Sequence, residues 1–121
     1  MIATFPKSKR LRSAEDFKHV FNRAKRVSNR HLGLYYCKND LEGARLGVVV
    51  SKKNVRKAHD RNRFKRLARE SFRKKQLELG CCDFVIVAYK GVEAYETQEL
   101  KHFIDELWSK YSVIYKKPLS N

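Results

Sequence analysis

The stretch 51–75, S-K-K-N-V-R-K-A-H-D-R-N-R-F-K-R-L-A-R-E-S-F-R-K-K, constrains this chain more than any other. It carries twelve lysines and arginines against two acids, Asp60 and Glu70, and so holds most of the chain's net charge of +15. That concentration is the electrostatic footprint of a polyanion binder. The stretch is also ordered at the helical period. Phe64, Leu67, Ala68, Ser71 and Phe72 recur at i, i+3, i+4, i+7 and i+8 and make one apolar stripe. Asn62, Arg66, Arg69 and Arg73 keep the same rhythm near the opposite side of the cylinder. The pattern predicts a helix glued by its back to a core, with guanidiniums turned outward. Asp60 suits an N-cap or first-turn position, where a carboxylate meets unpaired amides. A merely solvated helix mixes Glu with Lys to gain i,i+4 pairs, whereas like charges are stacked here. Arginine dominates between positions 61 and 73, and its planar fork suits phosphate or a base face.

The remaining elements are read around that helix. Residues 1–12 form a basic, irregular arm. Ser13-Ala14-Glu15-Asp16 resembles a capping box, with Asp in place of the usual Glu, and opens a helix striped by Phe17, Val20, Phe21 and Ala24. That helix fades over 24–27. Residues 30–37 alternate as a strand, 38–43 are a turn, and 44–51 are a second strand, the two reading as a hairpin. The basic helix runs toward Gly80, a natural residue to end it. The unbroken apolar run in 83–89 predicts a central strand buried on both faces. Thr97 is placed as the cap of a last helix, whose Leu100, Phe103, Ile104, Leu107, Trp108 and Tyr111 keep a clean apolar period. The order helix, strand, strand, basic helix, strand, helix is that of one α+β domain spanning 1–121, two layers deep, with loose ends at 1–12 and 113–121.

Composition excludes several classes. No apolar run approaches the ~20 residues of a membrane span, and positions 1–6 lack an apolar secretion signal, so a cytoplasmic protein is expected. The three cysteines, Cys37, Cys81 and Cys82, and four scattered histidines form no C-x-x-C or zinc-ligand spacing. Reduced thiols in or near a core are expected. Most of the thirteen acids suit helix ends or solvent faces and show no metal-nuclease cluster, and no Ser/His/Asp set or phosphate-cradling glycine loop is apparent. No catalytic residue and no metal ligand is therefore assigned. The expectation is a protein that binds a nucleic acid, RNA or DNA, and breaks no bond itself.

The run K-K-N-V-R-K-A-H-D-R-N-R-F-K-R-L-A-R-E-S-F-R, with Arg61, Asn62, Arg63, Lys65, Arg66, Arg69, Glu70, Phe72 and Arg73 in order, resembles the basic segment of the bacterial ribonuclease P protein subunit. The likeness extends from about residue 11 to 111. One departure is that Val55-Arg56-Lys57 fills a linker where many members carry glycine. The resemblance implies a ribosomal-protein-like, mostly antiparallel sheet of about four strands with three helices. The extra strand would lie in 38–46 or near Val27, and a left-handed crossover would run through the basic helix. It implies the accessory subunit of a ribonucleoprotein endoribonuclease, whose RNA carries out the hydrolysis with magnesium, to release the 5′ leader of precursor tRNA. No cofactor is bound by the protein itself in that reading. The partners implied are the catalytic RNA and precursor tRNA, with no membrane and no obligate protein partner.

Two surfaces follow from the resemblance. Arg61, Asn62, Arg63, Lys65, Arg66, Arg69 and Arg73 would meet the catalytic RNA. Phe17, Phe21 and Tyr35 match positions that line a cleft for the single-stranded leader, with Lys52, Lys53 and Lys90 against its phosphates. Tyr89 stands where many members have a second base beside Lys90. Read from the residues alone, Phe17 and Phe21 fit the core stripe of an amphipathic helix better than a cleft, and it is the resemblance that favours the cleft. The competing functional readings are a structural ribosomal RNA-binding protein without a role in tRNA processing, a duplex-DNA reader, and an autonomous nuclease.

Overall fold

The computed structural model describes residues 9–116. The described chain runs α1 (Ala14–Arg23), β1 (Lys25–Ser28), β2 (Leu32–Lys38), β3 (Arg45–Val49), α2 (Ala58–Lys75), β4 (Cys82–Ala88) and α3 (Thr97–Lys116). Single 3-10 turns follow α2 at Gln76–Glu78 and precede α3 at Val92–Ala94. The sheet order is β1-β2-β4-β3; β1/β2 and β2/β4 are antiparallel and β3/β4 is parallel.

This order corrects the expected hairpin between 30–37 and 44–51. The last strand in sequence inserts between β2 and β3. The cause lies in β4 itself: Cys82, Asp83, Phe84, Val85 and Ile86 are buried in succession, and only a central position covers both faces of such a strand. Strand β2 finds its hairpin partner in β1 instead, so the extra strand is the one near Val27. Asn29 makes that turn. Its Oδ1 accepts the amides of His31 and Leu32 at 2.9 and 2.8 Å, and its Nδ2 donates to the Phe103 carbonyl at 3.0 Å, tying the turn to α3.

Register divides the sheet into two faces. Leu32, Leu34, Leu46, Phe84 and Ile86 point toward α2 and α3 and meet Phe64, Phe72, Leu100, Ile104, Trp108 and Tyr111 in the main core. These are the two principal layers. The aromatic centre is interlocked: Phe84 meets Trp108 and Tyr111 edge-on at 5.3 and 5.0 Å between ring centroids. Trp108 Nε1 donates to Ser71 Oγ at 2.9 Å, which pins α3 to one flank of α2. Helix α1 lies across part of the other face, where Val20 is buried with Val85 and Leu11.

Helix ends show where side chains overrule simple capping rules. The Ser13–Asp16 capping box forms, with both reciprocal bonds present. Thr97 is the first residue of α3 and not its cap; the Glu96 amide is capped by Glu99 Oε1 at 3.1 Å. Asp60 sits in the first turn of α2, whose N-cap is Lys57. That helix ends at Lys75, short of Gly80, which instead supplies a positive φ of 78° after the 3-10 turn. The ends expected to be loose are shorter than 1–12 and 113–121. The Leu11 amide donates to the Leu46 carbonyl at 2.9 Å, and α3 continues through 113–116. Residues 1–8 and 117–121 of those stretches lie outside the described residues.

Candidate RNA-binding surfaces

On α2 the apolar stripe holds as expected: Phe64, Leu67, Ala68 and Phe72 are buried. The basic residues divide into two groups. Arg61 donates to the carbonyls of Val55 and Arg56 at 3.0 and 2.8 Å, and so closes the loop that enters the helix. Val55 is buried and anchors the same loop. Arg63 donates to the Tyr95 carbonyl at 2.9 Å and approaches Thr97 Oγ1 at 3.4 Å, bracing the connection into α3. These two guanidiniums hold the fold. The distinction was available in the sequence, because positions 61 and 63 fall outside the rhythm of 62, 66, 69 and 73.

The outward row is the part of α2 most open to a ligand. Asn62, Arg66 and Arg69 are exposed, Lys65 is half-buried, and none of the four makes a side-chain hydrogen bond or ion pair among the described residues. Arg73 differs: it pairs with Glu70 one turn back, through Nε at 3.1 Å and a second, shorter contact. That bond to Glu70 holds the guanidinium pKa above its usual value and pulls the carboxyl below its own. Both groups are solvent-facing, so the pair is weak and exchangeable.

The second surface lies on the face that α1 covers only in part. Register places Arg26, Tyr35, Val85 and Gly47 in one row across the four strands. Gly47 is required there, because a β-carbon would come within 2.5 Å of the Phe17 ring. Phe17 therefore seats half-buried on the sheet, and its role is packing as much as display. Phe21 is 42% exposed and meets Tyr35 edge-on at 4.9 Å. Val49 and Val87 continue this face, only partly covered.

Parallel pairing of β3 and β4 brings their C-terminal ends to one end of the sheet. Lys52, Lys53 and Lys90 all emerge there and are exposed. Asn54 ties the two exits together, its Nδ2 donating to the Ala88 carbonyl at 3.2 Å. Sequence reasoning named Tyr89 only as a departure beside Lys90 and missed Arg26, and both belong to this face. Tyr89 lies over Gly33, where a β-carbon would meet its hydroxyl at 2.5 Å. The Arg26 guanidinium lies beside the hydroxyls of Tyr35 and Tyr89, which favour its charge and hold its pKa up. Arg26 sits on the strand that the sequence left unplaced, so no signal assigned it to a face.

Among the described residues, no group of three or more His, Cys, Asp or Glu side chains converges to hold a metal ion, and no helix is long and apolar enough to cross a membrane. Cys81 is exposed, whereas burial pushes the thiols of Cys37 and Cys82 up.

A mixed sheet with an aromatic, lysine-flanked open face beside a helix with a cationic outer row defines an α+β RNA-binding protein. The family model described as Ribonuclease P matches residues 5–112. The chain belongs to the bacterial ribonuclease P protein family and is a tRNA-processing subunit of that ribonucleoprotein endoribonuclease. It is 42% identical over 113 residues to the ribonuclease P protein component of Histophilus somni (strain 2336), covering 93% of this chain and 95% of the relative. The corresponding protein of Escherichia coli O6:H1 is 40% identical, with 94% and 96% covered. The solved RNase P protein of Staphylococcus aureus superposes with a TM-score of 0.80 at 27% identity, over 85% of this chain and 94% of that one. The RNase P protein from Thermotoga maritima, solved with 1-(4-fluorophenyl)-2-thiourea, gives 0.73 at 29% identity, over 80% and 94%. These relatives do not favour the purely ribosomal reading.

Proposed function

We propose that this subunit joins two RNAs. The outward row of α2, formed by Asn62, Lys65, Arg66 and Arg69 with Arg73 beside it, docks on the phosphates of the catalytic RNA. The open sheet face holds the 5′ leader of precursor tRNA, its bases stacked on Phe21 and Tyr35 and its phosphates near Lys52, Lys53 and Lys90. Arg61 and Arg63 support this arrangement from within the fold. The observation that carries the reading is the combination of exposed Phe21 with three lysines at the adjoining end of one half-covered face. Stacking tolerates any base and lysines track any backbone, so the face suits single strands of varied sequence.

In this reading the protein contributes affinity and orientation, and the cytoplasmic holoenzyme gains preference for precursor over product because only the precursor carries a leader. The described residues do not fit a metal site, so no step is routed through a metal held by this chain. The magnesium that the holoenzyme requires is assigned to the RNA. Added positive charge lowers the repulsion between two polyanions, so the protein's benefit is greatest at low magnesium.

The test is reconstitution: leader removal from precursor tRNA by the RNA subunit at low magnesium, with and without protein. Stimulation by the protein is expected, and its absence would remove the reading. Phe21→Ala should weaken binding of precursor tRNA to the holoenzyme roughly tenfold, in line with ~1–3 kcal/mol per stacked base. Binding of mature tRNA should be unchanged, and so should the unfolding midpoint of the free protein. An equal loss for both tRNAs would place Phe21 outside the leader path.

A further inference from the structure

The N-terminal arm meets α2 at the β3 edge. Strand β3 is an outer strand of the sheet, and Arg10 forms an isolated parallel bridge with Leu46 on its open side. The pleat then fixes which way the arm's side chains face. Leu46 belongs to the core under α2, so Arg10, paired with it, shares that side. Leu11 turns the other way and is buried with Val20 and Val85 beneath α1.

The flank of α2 on this side is not the one held by α3. Ser71 marks the α3 flank through its bond from Trp108. At about 100° per residue, Arg69 lies on the side turned away from Ser71. Burial and then the charge of Arg10 depress the Arg69 pKa, and no carboxylate acts against them. Arg69 makes no ion pair or hydrogen bond among the described residues.

We infer that Arg10 and Arg69 form a two-part clamp for a single RNA backbone phosphate, set at the β3 edge and fed by both the arm and the helix. This rests on the proposed RNA-binding role of α2 and adds to it a residue outside the helix. Two guanidiniums brought together repel each other in the free protein. A phosphodiester between them reverses the sign of that interaction and accepts a fork from each. The phosphate also fastens the arm, because Arg10 is adjacent to the Leu11 amide that bonds to Leu46.

The test compares wild type, Arg10→Gln, Arg69→Gln and the double variant as full-length proteins. Each is titrated with the ribonuclease P RNA alone and with precursor tRNA alone, across a salt series. Each single variant should bind roughly tenfold more weakly to one of the two RNAs, with a salt slope shallower by about one. Which titration changes identifies the RNA that supplies the phosphate. The double variant should bind about as weakly as either single one, because both side chains serve one phosphate. The free Arg69→Gln variant should unfold at the wild-type temperature or above it, since a part-buried charge beside Arg10 has been removed. Arg10→Gln binding both RNAs with wild-type affinity and slope would overturn the clamp, as would fully additive losses. Arg66→Ala separates the two levels. If it weakens RNA binding while Arg10→Gln does not, the clamp alone fails; if wild type binds neither RNA, the role of α2 fails with it.

Discussion

Arg66→Ala combined with Arg69→Ala should lower affinity for the ribonuclease P RNA by roughly a hundredfold at moderate salt and flatten the salt dependence by about two units, as two phosphate contacts are lost. The physical basis is that neither side chain is tied to an acid. Both lie on the outer side of α2, opposite the buried Phe64, Leu67, Ala68 and Phe72. Removing them takes nothing from the core, and it relieves like-charge crowding at i,i+3. Far-UV circular dichroism and the unfolding midpoint should therefore match the parent. By contrast, Arg61→Ala should disturb the fold itself, because it releases two backbone carbonyls in the loop before α2. Wild-type affinity of the Arg66/Arg69 double variant across the salt series would show that the outward row is not the docking surface.

The second large effect is on stability. Asp83 is 2% exposed at the start of β4, and its carboxylate accepts Arg45 Nε and Nη2 at 2.8 and 2.7 Å and Asn39 Nδ2 at 2.8 Å. One carboxylate thus joins β3, β4 and the turn that follows β2. Asp83→Ala leaves a partly buried guanidinium without its acceptor and takes from the Asn39 amide one of its two, the Gly43 carbonyl remaining, and should cost about 3–5 kcal/mol in urea unfolding. Asp83→Leu with Arg45→Met should recover much of the loss, since no charge is then stranded. A loss below about 1 kcal/mol for Asp83→Ala would mean that Arg45 swings into solvent and the pair contributes little.

What could be read beforehand follows physical range. The stripe 64, 67, 68, 72, the Ser13–Asp16 box and the α3 period are local, and helical geometry alone fixes them. The double-sided burial of β4 was legible in its unbroken apolar run. Its neighbours were not, because pairing is chosen by contacts far apart in sequence, and a nearby hairpin was the simpler solution. The four residues of β1 are too few to show alternation, so the strand and its Arg26 went unassigned. For the site, the outward row was legible as a rhythm. Arg61 and Arg63 stood outside that rhythm, but the carbonyls they bond, those of Val55 and Arg56 in the preceding loop and of Tyr95 far along the chain, are set by loop conformations that no periodicity announces. Glu70 was counted as one of two acids, but its pairing with Arg73 needed the helix surface to be seen.

The insertion of β4 between β2 and β3 has a consequence for how the chain matures. The strand that both neighbours require is synthesised after them, so a nascent chain emerging from the ribosome holds two unsatisfied strand edges and a polycationic segment until residue 88 is free. The sheet then closes through long-range pairing, the slow kind. During that interval the most basic part of the chain lacks the sheet against which its apolar stripe will pack, within reach of the ribosome's own RNA. C-terminal truncation before β4 should accordingly leave an aggregation-prone polycation and not a smaller folded domain.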